Sequence, residues 1–416
     1  MRRFREAEDT MLMLQYTILS ALSAAASATN LFVSSYSGDV TTFSLAESKG
    51  EYSLNATSSN GGCGPSPAWL TLDASRGTLY CLNEGLTSPN GSMSTFTINR
   101  DGSLKRVQNS TTISGPVSGV IYGDPAGDRS IALAHYSGSS LSTYSLSSGG
   151  RFEEDESFTF SLSEPGPVTD RQDGPHPHEA ILDPTGQYIL VPDLGADLVR
   201  VYAIDPKSNS LSEKEPLEAP AGSGPRHAVF HHPYDAVSED STTYFYLATE
   251  LGSTVISYSV SYLPNAAGLN FTRVQEQNAL GQLSYDRINA PAGIALSPDN
   301  RFLLLSNRNS SIFSLPNPDS SNSTNIPSDS ITTFSLSDEG KLGFVQAWPT
   351  HGMFPRHFSL NTAGNLVAAI NQNSGNVVVL RRDVATGLIG EVIAEAEVEG
   401  QPTSVVFGEV GAVNGA

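Results

Sequence analysis

Residues 174–205 read GPHPHEAILDPTGQYILVPDLGADLVRVYAID, and the fold follows from how this stretch is punctuated. Asp183-Pro184-Thr185-Gly186 separates two short apolar runs, 179–182 and 188–192, and 198–204 follows as an alternating third run. Asp-Pro-x-Gly between apolar runs signals a tight turn, because Pro presets φ and Gly accepts a positive one. The stretch therefore predicts three consecutive antiparallel strands, here lettered A, B and C.

The same unit recurs along the chain. It returns as PAWLTLDASRGTLYCLNEG from Pro67 and as GPVSGVIYGDPAGDRSIALAHYSG from Gly115. Further copies begin at Gly224, Ala290 and Phe354, the last reading FPRHFSLNTAGNLVAAINQNSGNVVVLRRD. QPTSVVFG from Gln401 supplies one more strand A, while residues 29–54 read as strands B, C and D without an A. The two ends then complete each other. An all-β, seven-bladed β-propeller follows, its ring closed by the C-terminal strand pairing with the N-terminal strands, which leaves no open sheet edge. Residues 310–330, rich in Ser, Asn, Asp and Pro, read as a mobile surface loop inserted in the fifth unit. A smaller insertion, 232–242, separates strands A and B of the fourth. Neither divides the chain, so 29–416 reads as a single propeller domain.

Composition agrees with many short strands: 37 Gly, 25 Pro and only 16% charged residues. The formal charge of −20 disfavours nucleic acid and anionic membranes as partners. Arg2, Arg3 and Arg5 precede the apolar stretch 11–22, which ends at Ala26-Ser27-Ala28, a small-x-small cleavage pattern. Residues 1–28 thus read as a secretory signal peptide and the protein as secreted, the alternative being a buried N-terminal helix; Glu6, Glu8 and Asp9 sit awkwardly ahead of the apolar stretch and leave the start open between Met1 and Met11. No later apolar run approaches membrane-spanning length. An oxidising compartment would let Cys63 and Cys81 pair; the alternative is two buried thiols. N-x-S/T sequons stand at Asn55, Asn90, Asn109, Asn270, Asn309 and Asn322.

In a propeller, strand A lines the central channel and strand B runs antiparallel beside it. The start of every A and the end of every B therefore share one face. Those positions hold Glu84, His176, His178, Asp193, Arg226, His227, Glu250, Asn307, Arg308, Arg356, His357 and Asn371. Asp193 and Asn371, at strand ends, suit turn backbone as well as a ligand. Three arginines from three blades demand anions, since guanidinium groups are not buried unpaired. Glu84, Glu250 or Asp193 would serve in a purely structural reading, and a carboxylate or phosphate ligand in a functional one.

These motifs, HPH and GPRH followed by ATELG, SNR and FPRHF, resemble the lactonase seven-bladed propeller family, which includes cycloisomerase-type 6-phosphogluconolactonases and fungal carboxy-cis,cis-muconate lactonizing enzymes. The resemblance covers essentially the whole chain after the leader. It implies a channel-mouth site with no required metal and no cofactor. It also implies a catalytic set of His178, Arg226, Glu250 and Arg308, with Arg356 and His357 of the repeated PRH motif adding binding; His176, His227, Glu84 and Asp193 are substrate-binding candidates from their channel-mouth positions. Strand B of the fourth unit ends Thr249-Glu250 where the family often has Asn-Glu.

The chemistry wanted of such a set is lactone opening on a small-molecule lactone or carboxylate. Glu250 or His178 would activate water, and Arg226 with Arg308 would hold the oxyanion. Two alternatives use the same residues: a carboxymuconate-type lactonizing cycloisomerase, and a non-catalytic secreted propeller binding an anionic ligand. The arginines repel a divalent cation, the cysteines lack zinc-site spacing, and no G-x-S-x-G elbow is present.

Overall fold

The computed structural model describes residues 28–232, 242–283, 289–317 and 319–409, together with the backbone of 413–414. The expected secretory segment lies outside them except for Ala28, as does most of the 232–242 insertion. Among the described residues, seven antiparallel sheets each follow the order A-B-C-D from the channel outward. The innermost strands are Pro67–Asp73, Pro116–Gly123, Ile181–Leu182, Pro225–His231, Ala290–Leu296, His357–Leu360 and Pro402–Phe407, of blades 1 to 7. The last pairs with Ala28–Ser35, from Leu31 opposite Phe407 to Ser34 opposite Ser404, so the two chain ends share blade 7. Beyond it, Val413–Asn414 adds a fifth strand beside His357–Leu360 of blade 6.

Burial explains the strand composition. The B strands lie between neighbouring blades and are buried along most of their length, with polar residues gathered at their ends; every residue of Tyr188–Asp193 is buried. Outer strands alternate, as Phe152–Thr159 does, because one of their faces meets water. The core is a set of interblade clusters. At the junction of blades 6 and 7, Leu366, Ala368, Ile370, Val377 and Val379 pack on Leu31, Val33, Phe43, Val405 and Phe407. Closure is thus apolar as well as hydrogen-bonded.

In blade 3 the tight turn appears where the sequence places it. Asp183 accepts the Gln187, Tyr188 and Thr185 amides at 2.8, 2.7 and 2.9 Å, and strand C spans Leu198–Ile204. Strand A is shorter than expected, Ile181–Leu182 in place of 179–182. Pro175 and Pro177 withhold ladder donors, and Glu179 turns its carboxyl to the Ala228 amide of blade 4 at 2.7 Å. The 310–330 segment also differs from the expected loop. Phe313–Leu315 pairs with Ile326–Ser328, and buried Asp329 anchors the insertion by accepting the Asn309, Ser311 and Phe354 amides. Its polar composition hid this framework. No helix among the described residues is long and apolar enough to cross a membrane.

Candidate functional site

A backbone device aims side chains into the channel. The A–B register slips beside the entering proline in blades 1, 2, 4, 5 and 7; in blade 4 Pro225 faces Thr249 while His227 already faces Ala248. Arg226 is the residue left over, and such bulges redirect side chains. Val117 and Thr403 stand at the equivalent slips of blades 2 and 7 and line the same narrow cavity as Arg226, with Trp69, His178, His227, Arg356 and His357. Gly224 sets the approach with φ +60°, where a Cβ would lie 2.5 Å from Leu251 Cγ.

At the mouth, three arginines converge on one carboxylate. Glu250 Oε2 lies 2.6 Å from Arg308 Nη2 and 3.0 Å from Arg226 Nε, and Oε1 lies 2.8 Å from Arg171 Nη1. Burial pushes the Glu250 carboxyl up, but Arg308, Arg226 and Arg171 overcome it and hold it far below the usual carboxylate range. The Arg226 contact is off the hydrogen-bond direction, and its Nη1 has no hydrogen-bond partner among the described residues. Arg226 is 1% exposed, and burial together with the Arg308 charge works against its ionisation. Arg308 also donates to the Ala290 carbonyl at 3.2 Å and lies over the Phe354 ring at 5.0 Å. Phe354 holds φ +66° in this role, a left-handed conformation costly for a side chain that is not glycine.

Beneath the arginines lies a layer of rings. His178 Nδ1 meets His227 Nε2 at 3.1 Å, and Trp69 packs edge-on against His227 and His357 at 5.7 and 5.0 Å. Tyr136 stacks on His176 at 4.3 Å and turns its edge to His178 at 5.5 Å. Burial, then Arg226, Arg356 and Arg308, drive the His178 pKa well below the ordinary imidazole value, so His178 is neutral at physiological pH. His357 is pushed down to about 3, mainly by burial.

A second ion pair closes the opposite side. Arg356 donates to Glu84 Oε1 at 3.0 Å and to the Tyr36 hydroxyl at 3.1 Å, and that hydroxyl donates to Glu84 at 2.6 Å. Burial raises the Tyr36 phenol to about 12. Around the mouth four guanidinium groups, Arg171, Arg226, Arg308 and Arg356, therefore meet two carboxylates, Glu84 and Glu250. Glu179 beside His178 adds no compensation, since burial raises its pKa well above the usual range. The surplus is positive in a chain whose net charge is −20, a field that draws anions to this spot.

His178, Arg226, Glu250 and Arg308 thus come together, with His227 beneath them and Arg356 and Glu84 across from them. Asp193 does not join them. It is fully buried, pairs with Arg200 at 2.9 Å, and accepts the His176 and Ala196 amides at 2.7 and 3.1 Å, so it holds blade 3 together and is not a ligand group. Asn307 is likewise spent inside blade 5, and the Asn371 amide donates to the Thr350 carbonyl and Asn376 inside blade 6. His176 bonds the Tyr136 carbonyl and Asp173, both at 3.0 Å, and supports the ring layer from outside. Sequence reasoning missed Arg171, Tyr136, Trp69 and Tyr36. Tyr136 and Tyr36 stand one residue past strand B, as Glu84 and Glu250 do, but the scan singled out charged, imidazole and amide side chains; Arg171 lies outside the repeat altogether.

Comparison with known proteins places this geometry. Residues 29–407 match the family described as lactonase, 7-bladed beta-propeller. A protein of Arthroderma benhamiae named "Probable 6-phosphogluconolactonase" is 30% identical over 358 residues, covering 86% of this chain and 83% of that protein. The 6-phosphogluconolactonase of Formosa agariphila is 29% identical, covering 82% and 88%. The solved structure of a Pseudomonas aeruginosa periplasmic gluconolactonase superposes with a TM-score of 0.72 over 92% of this chain and 99% of that one; at 24% identity the likeness concerns the fold.

Proposed function

The chain belongs to the seven-bladed β-propeller lactonase family, and on that premise we propose that it hydrolyses the ring ester of a sugar-type lactone at the channel mouth. The observation that carries this reading is the surplus of buried guanidinium charge directly above a neutral imidazole. The names of its relatives supply the substrate class, a gluconolactone or its 6-phosphate.

Ester hydrolysis needs a base for water and donors for the oxyanion. Glu250, one of the two bases expected from sequence, has Oε2 taken up by Arg226 and Arg308 and Oε1 by Arg171, so neither oxygen is free to receive a proton from water. Its part is to fix Arg226 and Arg308. His178 takes the proton. His178 Nδ1 and His227 Nε2 share one proton at 3.1 Å, and the tautomer the reaction uses places it on Nδ1, which leaves the lone pair on Nε2. Water attacks the ester carbonyl carbon while His178 Nε2 accepts its proton. Arg226 and Arg308 receive the negative charge that develops on the carbonyl oxygen. Collapse breaks the ring C–O bond, and the imidazolium returns its proton to the departing alkoxide, giving an open-chain hydroxy acid.

The test is acid release from δ-gluconolactone and its 6-phospho form by purified chain lacking residues 1–28. Turnover above the spontaneous rate, abolished by Arg226→Ala, is expected. No acceleration on either lactone refutes the reading.

We also propose that the protein is secreted with its leader removed and carries N-linked glycans. Cys63 and Cys81, joined as a disulfide and fully buried, favour an oxidising compartment. All six sequon asparagines are exposed. Expression in a eukaryotic host should give a medium-borne protein that loses mass on glycosidase treatment; an intracellular, unshifted product contradicts this.

A further inference from the structure

We infer that Arg171 is a specificity-determining residue of this mouth, gripping an anionic substituent at the end of the lactone distal to its ester carbonyl. The inference rests on the lactonase reading above and assigns a residue that no blade repeat provides.

Arg171 sits on the segment joining strand D of blade 2, Phe152–Thr159, to strand A of blade 3. That connection is pinned. The Arg171 and Gln172 amides both donate to the Val168 carbonyl at 2.9 Å, and Gly166 N donates to the Gln172 carbonyl at 2.8 Å. The Gln172 side chain, fully buried, accepts from Val168 N at 3.0 Å and donates to the Leu194 carbonyl at 2.9 Å. A strap so fixed delivers one guanidinium over the channel, where Nη1 meets Glu250 and Nη2 meets the Tyr136 hydroxyl at 3.3 Å.

Three features separate this arginine from its neighbours. Its side chain is 42% exposed, against 2% for Arg226, 8% for Arg308 and 17% for Arg356, so it is the most open of the four to an arriving molecule. It faces Glu250 Oε1, while Arg226 and Arg308 already surround Oε2. Finally, it stands beside Tyr136, whose ring edge touches His178, so an anion held here places the rest of a sugar-sized molecule over the base. Guanidinium geometry suits either a phosphate or a carboxylate.

Calorimetric Kd values for gluconate, 6-phosphogluconate and glucarate, measured on the wild-type chain, Arg171→Ala and Arg171→Lys, test the inference. Gluconate lacks the distal anion, 6-phosphogluconate carries it as phosphate, and glucarate as carboxylate. The wild type should prefer one anionic ligand over gluconate. Arg171→Ala should shrink that preference about 10- to 100-fold, and Arg171→Lys should restore part of it. Which ligand loses more identifies the anion. An unchanged preference overturns the inference, as does equal weakening of all three ligands, which would make Arg171 only a strut for Glu250. Lactone turnover with an unchanged preference sinks this inference alone. A preference lost in Arg171→Ala without lactone turnover in the wild type sinks the lactonase reading and leaves the anion contact standing.

Discussion

Pro-Arg-His opens strand A twice, as Pro225-Arg226-His227 in blade 4 and as Pro355-Arg356-His357 in blade 6, and the two copies have opposite fates. Arg226 is buried among like charges, with a donor left over and a carboxylate shared with two other arginines. Arg356 is matched by Glu84 and Tyr36. His227 pairs with the imidazole of His178, whereas His357 accepts the Val405 amide, on the strand that closes the ring. The blade 4 copy equips the mouth. The blade 6 copy joins blade 6 to blades 7 and 1. A tripeptide fixes where its side chains enter the channel, and the neighbouring blades decide what they do there.

If that division is right, activity separates the copies most widely. Arg226→Ala should lower kcat/KM about 10²–10³-fold, as loss of an oxyanion donor commonly does, and Arg356→Ala less than about tenfold. Equal losses in steady-state assays would break the comparison. Stability should separate them the other way. Arg356→Ala strands Glu84 and Tyr36 and should cost about 1–3 kcal/mol in urea unfolding. Arg226→Ala relieves a crowded charge and should cost less than that or stabilise.

A third contrast is in pH. Burial depresses His357 to about 3 and His135 to about 4 from an ordinary 6.5, and His178 falls well below it too. Below pH 6.5 the unfolded chain binds protons that the native chain refuses, so stability should fall as pH drops from about 6.5 toward 4. Glu250, depressed from 4.5, keeps its full stabilising contribution above about 4.5 and loses it progressively as pH falls from there toward its lower native value. His357→Gln should flatten part of the slope of urea midpoint against pH; an unaltered slope would remove His357 from the account. Smallest of all, Phe354→Gly would make the two lead-ins alike. It relieves a positive φ and removes the ring under Arg308, so kcat/KM should fall about 3- to 10-fold with stability changed by less than about 1 kcal/mol.

The propeller was legible because its signals are local and repeated: Asp183-Pro184-Thr185-Gly186 makes its turn, and QPTSVVF at the C-terminus supplies the strand missing at the N-terminus. Repeat geometry put Arg226, Glu250 and Arg308 on one face among twelve candidates, and the family resemblance singled them out. What escaped was whatever the repeat does not encode. Arg171 rides on a connecting strap whose sequence carries no strand or motif signal. The ribbon around Phe313 and Ile326 lies in low-complexity chain that only Asp329 organises. The pairing of Asp193 with Arg200 depended on a strand C side chain that the scan of strand ends did not include. Glu250 was placed correctly among its neighbours, yet its loss of basicity required knowing that a third arginine arrives.

The most direct test of the account is the rate of acid release from gluconolactones by His178→Gln beside the wild-type chain, with product Kd measured on both. His178 as the base predicts a kcat about 10²–10⁴-fold lower and a Kd within a few-fold. A His178→Gln protein that turns over at the wild-type rate would contradict it.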